Sequence, residues 1–123
     1  MVENINSYVD NISNRERALL LNKELNRWLK ILISQYNPQK ILLFGSLPQK
    51  KVKEWSDIDL IIIKETNKPF LDRIKEVLLL LEPKVGTDLL VYTPAEYDYL
   101  CNNRTFFKDE IVKKGVVLYE RGS

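Results

Sequence analysis

Leu43-Phe44-Gly45-Ser46 and, after the loop Leu47–Trp55, Ser56-Asp57-Ile58-Asp59-Leu60-Ile61-Ile62-Ile63 are the stretches that decide the fold. The first reads as the end of a short apolar strand, Lys40–Phe44, closed by Gly45. The second reads as a strand over Asp57–Ile63 whose unbroken apolar run predicts burial on both faces, hence a central position. Within that strand Asp57 and Asp59 are two residues apart, so alternation sends both carboxylates to one face and Ile58 to the other. Their Cα atoms would lie about 6.5–7 Å apart by strand rise. That spacing lets two carboxylates share one cation or flank a pair. Gly45-Ser46 supplies a turn through which backbone can approach a phosphate closely.

Outward from this element, helices and strands alternate, which predicts an α/β (α+β) chain with a single mixed sheet and flanking helices. Residues 14–36 read as a long amphipathic helix with Leu21, Leu25, Trp28, Leu29, Leu32 and Tyr36 at helical spacing. Ser13 and Glu16 match a capping box, and Asn37-Pro38 stops the helix. Phe70–Leu81 reads as a second helix with Phe70, Ile74, Leu78 and Leu81 on its buried face, ended by Pro83 and Gly86. Asp88–Tyr92 reads as a third strand. Thr93-Pro94-Ala95-Glu96 then opens a helix, with Thr93 as N-cap and Glu96 completing a capping box. A short helix over Thr105–Lys114 and a last strand over Val116–Tyr119 follow. A strand–helix–strand unit tends to place its strands close together in one sheet, which brings Asp88 toward Asp57 and Asp59.

Composition narrows the chemistry further. The 123 residues, 45% hydrophobic and 29% charged, fit one globular domain over 1–123, with a helix over about 14–36 and a catalytic core over about 40–120. A core this modest leaves surface for an oligomer or partner protein to bury. A net charge of +2 gives no argument for nucleic acid. With no histidine, Ser-His-Asp and Cys-His nucleophiles and histidine zinc sites are excluded. Cys101 is the single cysteine and reads as a half-buried helix residue. Any metal is then expected to be a hard cation on oxygen ligands. Mg²⁺ takes one or two carboxylates together with substrate phosphates, which suits this pair of acids. No basic region followed by an apolar stretch opens the chain, and no run approaches a membrane span, so a cytoplasmic location is expected. The Asn103-Arg104-Thr105 sequon has no meaning without secretion, and Gly122-Ser123 has the form of a cloning remnant. Other Asp-x-Asp chemistries fit less well: haloacid-dehalogenase-like phosphatases place the acids after the apolar strand, glycosyltransferases of this type are usually much longer, and a calcium loop needs ligands where Leu60-Ile61-Ile62 stand.

Taken together, Gly45-Ser46, the spacing to Ser56-Asp57-Ile58-Asp59-Leu60, Asp88–Glu96 and Gly115–Glu120 resemble the minimal nucleotidyltransferases of the DNA polymerase β superfamily. The resemblance spans about residues 40–120. It implies Mg²⁺, as two ions, held by Asp57, Asp59 and Asp88, which would also be the catalytic residues. It implies ATP anchored near Gly45, Ser46, Ser56 and Lys50, and transfer of AMP with loss of pyrophosphate. It implies a HEPN-type partner protein, with this chain as the antitoxin of a toxin–antitoxin pair that modifies a hydroxyl of its partner. A non-catalytic, nucleotide-binding antitoxin that neutralises by complex formation is the alternative. Many members carry an Arg-Gly pair shortly after Gly-Ser; here those positions hold Gln49 and Lys50, and a lysine replaces a guanidinium fork only in part. A small-molecule nucleotidyltransferase fits less well, for want of an acceptor domain.

Overall fold

Ile58–Ile63 has the composition of a buried strand: four of its side chains are β-branched isoleucines, which favour the pleated backbone. The computed structural model describes the backbone of residues 2–122 and the side chains of residues 11–122; Ser123 of the terminal Gly-Ser pair lies outside them. In chain order the elements are α1 (Val2–Ile31), a π-helical turn (Leu32–Tyr36), β1 (Lys40–Phe44), β2 (Ile58–Ile63), α2 (Phe70–Leu81) and β3 (Thr87–Tyr92). Then come α3 (Pro94–Asn103), α4 (Thr105–Phe107), a second π-helical turn (Lys108–Val112) and β4 (Val116–Glu120).

The four strands form one mixed sheet in the order β3-β2-β1-β4. β1 runs antiparallel to both β2 and β4, whereas β2 and β3 are parallel, joined by the α2 crossover. β2 is therefore central. Its alternation divides two cores: Ile58, Leu60 and Ile62 pack with Leu21, Leu25, Trp28, Val77 and Leu81 beneath α1 and α2. Ile61 and Ile63 pack with Leu42, Tyr97, Phe107 and Ile111 beneath α3, α4 and the second π turn. Each fully buried aliphatic side chain contributes about 1.5–3 kcal/mol.

Three local expectations change. The first helix begins at Val2, not near residue 14, so Ser13 lies inside it and is no N-cap. The stretch before Ser13 contains no proline or glycine, and a capping pattern starts a helix only where the chain is not already helical. Its last turn widens into the π turn, and Asn37 (φ 55°) closes it by donating its N–H to the Leu32 carbonyl. On α2 Leu81 is buried as expected and Ile74 and Leu78 pack half-buried against the core, but Arg73 and Val77, outside the expected face, are buried more deeply. Arg73 is tolerated there because Nε donates to the Lys68 carbonyl and Nη1 to the Val91 carbonyl and Glu96 Oε1. The expected third helix over Thr105–Lys114 is one α-turn followed by a π turn. The capping box of α3 forms as read: Glu96 N–H donates to Thr93 Oγ1, and Thr93 N–H donates to Glu96 Oε1.

Candidate active site

β2 and β3 are paired so that Asp59 stands directly opposite Asp88. Because the strands are parallel neighbours, about 4.8 Å apart, side chains in register share a face. Alternation puts Asp59 on the face of Ile61 and Ile63, and Asp88 on that of Leu90 and Tyr92, which pack into or against the second core. The two acids occupy the end of that face near Gly45. The Asp59 carboxyl is pushed up from 3.8 to about 6. Partial burial is the largest cause, followed by the Asp88 charge, hydrogen bonding with Asp88 and the Asp57 charge.

Asp57 differs. β2 begins at Ile58, so Asp57 precedes the strand instead of opening it. Its Oδ1 lies 3.7 Å from Arg17 Nη2 of α1. A glycine backs each of the first two acids. A Cβ on Gly45 (φ 81°) would overlap Asp59 Oδ2, and one on Gly86 would stand 2.5 Å from Asp57 Oδ1. Gly45 therefore serves both the turn conformation and the close approach of a carboxylate. Gly86 serves the approach alone; in the sequence it reads only as punctuation after α2.

The remaining expected residues are placed as follows. Ser46 follows the Gly45 turn, and its carbonyl accepts from Lys51 N–H. Ser56 is buried, its Oγ accepting from Lys53 N–H and its carbonyl from Arg17 Nε at 2.9 Å, so it staples the loop from behind the acids. Gln49, in the family's arginine position, turns its Nε2 back to the Gly45 carbonyl. Lys50, in the family's glycine position, keeps a left-handed backbone (φ 57°). It lines a cleft of about 690 Å³ between α1, the loop and β4, with Arg15, Lys51 and Lys53; the three acids do not line this cleft. Sequence reading missed Arg17 and Gly86, because neither lies in a motif and only the tertiary fold brings them to Asp57.

Among the described residues, no three potential ligands converge into a ready-made metal cage. The donor set nevertheless fits a hard divalent cation. It is all oxygen, and Asp59 is held in surroundings that disfavour its charge, which a cation would relieve. Phosphate oxygens of a substrate would complete such a coordination shell.

Asp59 and Asp88 stand as paired acids at the ends of adjacent strands, with the Gly45 turn behind Asp59. The chain belongs to the polymerase β nucleotidyltransferase family, whose model matches residues 26–123, and it is a nucleotidyltransferase. No curated protein matches it significantly. Among solved structures it is similar to a candidate nucleotidyltransferase from Sulfolobus solfataricus, with a TM-score of 0.64 and 19% identity over 89% of this chain and 88% of that one. It is also similar to a toxin–antitoxin crystallised with AMP-PNP, with a TM-score of 0.51 and 23% identity over 79% of this chain and 73% of that one. A mutant of the toxin–antitoxin MntA–HpeT matches at the same TM-score and identity, over 79% and 72%. At these identities the likenesses establish the fold, which is the mixed-sheet architecture expected from the sequence. No described helix is long and apolar enough to cross a membrane.

Proposed function

We propose that the protein transfers AMP from ATP to a hydroxyl of a partner protein, as the antitoxin of a HEPN/MNT toxin–antitoxin pair, using Mg²⁺ held by Asp57, Asp59 and Asp88. The observation that carries this reading is the Asp59–Asp88 register, which sets two acids side by side next to the Gly45 turn. Mg²⁺ would supply Lewis-acid stabilisation of charge building on the phosphate oxygens. Gly45 and Ser46 would receive the triphosphate through backbone N–H groups and the Ser46 hydroxyl. The acceptor hydroxyl oxygen attacks the α-phosphorus, the bond to the β-phosphate oxygen breaks, and pyrophosphate leaves. Asp88 takes the hydroxyl proton. The similarity to toxin–antitoxin structures, one of them bound to AMP-PNP, supports a protein partner and an adenine nucleotide. The test is mass spectrometry of the neighbouring gene's product after incubation with this protein, ATP and Mg²⁺. Addition of AMP that disappears with Asp59→Asn is expected; an unmodified partner overturns the reading.

Gln49 favours a second reading. Its side chain is spent on the Gly45 carbonyl, leaving the loop without a guanidinium for phosphate. A nucleotide-binding antitoxin that neutralises by complex formation alone needs no transfer. Neutralisation that survives an Asp57→Asn/Asp59→Asn double variant selects this second reading.

A further inference from the structure

Arg17 has no place in the sequence motif, yet it reaches the site from α1 and makes two unequal contacts. Nε donates to the Ser56 carbonyl at 2.9 Å, a well-formed hydrogen bond. Nη2 stands 3.7 Å from Asp57 Oδ1, an ion pair without a hydrogen bond. The arginine side chain is 22% exposed and the Asp57 side chain 47% exposed. Arg17 is therefore the anchored member and Asp57 the movable one. Asp59 and Asp88 face each other in register, whereas Asp57 is drawn toward a guanidinium on the opposite helix layer. Gly86 leaves room behind it, because any Cβ there would strike the carboxylate.

We infer that Arg17 is a resident counter-ion that holds Asp57 while the site is free of metal and yields it when a divalent cation binds, so that Arg17 sets the cation affinity of the site. This rests on the proposed cation site and goes beyond it by assigning a positioning residue outside the motif. The anchoring bond to Ser56 persists through the exchange, since it does not involve the carboxylate. Cation binding then costs the Arg17–Asp57 attraction, and that attraction is screened by salt.

The experiment is Mn²⁺ binding to the full chain without nucleotide, by electron paramagnetic resonance, for the wild type, Arg17→Gln and Arg17→Lys. Thermal unfolding verifies that each variant is folded. Removing the charge should tighten Mn²⁺ binding about tenfold at low ionic strength, with the advantage shrinking at high salt. Arg17→Lys, which keeps the charge, should bind close to wild type. Equal affinity in wild type and Arg17→Gln overturns the inference and leaves the cation site standing. Weaker binding in Arg17→Gln overturns it as well, making Arg17 a scaffold for the Ser56 loop. No Mn²⁺ bound by any of the three overturns both the inference and the proposed cation site.

Discussion

Two carboxyl groups in this chain are driven in opposite directions. Glu24, buried on α1, is held down at about 2; Asp59, at the head of β2, is pushed up to about 6. Glu24 is surrounded by donors. Arg27 grips it through Nε at 2.6 Å and Nη2 at 3.0 Å, and Lys84 N–H reaches it at 2.6 Å. Arg27 continues to the Leu81 and Glu82 carbonyls, so the group clasps α1 to the end of α2. Asp59 instead has burial and two like charges, Asp88 and Asp57. One arrangement is complete as it stands. The other leaves a disfavoured charge without a donor to offset it, which is the imbalance that the cation of the proposed function would relieve.

The largest break in that contrast comes at Asp59. Asp59→Asn should lower nucleotidyl transfer by about a hundredfold to a thousandfold, measured as initial rate, because the proposed cation loses an anionic ligand and with it the stabilisation of charge on the phosphate oxygens. The same change should leave the metal-free protein at least as stable as wild type at pH 7, since it removes a disfavoured charge. The matching change in the clasp has the opposite profile. Glu24→Ala should cost about 2–3 kcal/mol in urea unfolding, because Lys84 N–H and the Arg27 guanidinium lose a charged partner. Transfer by the folded fraction should be little changed. A variant of either kind that altered activity and stability together would show that the two regions are not separate.

pH sharpens the same comparison. Asp59 has a raised folded value, so its contribution to stability is complete below about 4 and is lost as pH rises through about 6. Glu24 has a lowered value, so its contribution is complete above the ordinary 4.5 and is lost as pH falls toward 2. In metal-free protein the Asp59 part should appear as a loss of about 1–2 kcal/mol between pH 4 and 7, after allowance for solvent screening. Asp59→Asn should abolish that slope, and Mg²⁺ should flatten it. The acid-side loss should instead disappear with Glu24→Gln.

Much of this was legible in the sequence, and the exceptions have physical reasons. The isoleucine run of β2, the Thr93–Glu96 box and the α2 crossover each carry their signal within a few residues, and each formed where expected. The crossover through α2 makes β2 and β3 parallel neighbours, which brings Asp88 toward Asp59, whereas the register that sets them opposite each other comes from the folded sheet. Arg17 and Gly86 were not legible, because what distinguishes them is a neighbour far along the chain. The burial of Arg73 was hidden for the same reason: its acceptors come from three separate segments. The start of α1 was misplaced because Ser13 and Glu16 read as a capping box, which set aside Val2, Ile5, Val9 and Ile12 although their helical spacing continues upstream with no breaker between.

The smallest predicted effect lies in the loop that joins the two kinds of region. Lys50 holds φ 57°, a conformation that costs a residue with a Cβ about 1 kcal/mol and costs glycine little. It closes a turn by donating its N–H to the Leu47 carbonyl at 3.2 Å, with Lys51 N–H bonded to the Ser46 carbonyl beside it. The loop thus places a lysine where the backbone conformation favours glycine. Lys50→Gly should stabilise the protein by about 0.5 kcal/mol in urea unfolding, the rest of the gain being offset by the greater freedom of glycine in the unfolded chain. A loss of stability instead would mean that the lysine side chain, lying in the cleft with Arg15, Lys51 and Lys53, makes contacts that outweigh the strain. The strain would then belong with the relaxed clasp of Glu24 as a cost the fold has fully compensated, and only the acids would remain uncompensated.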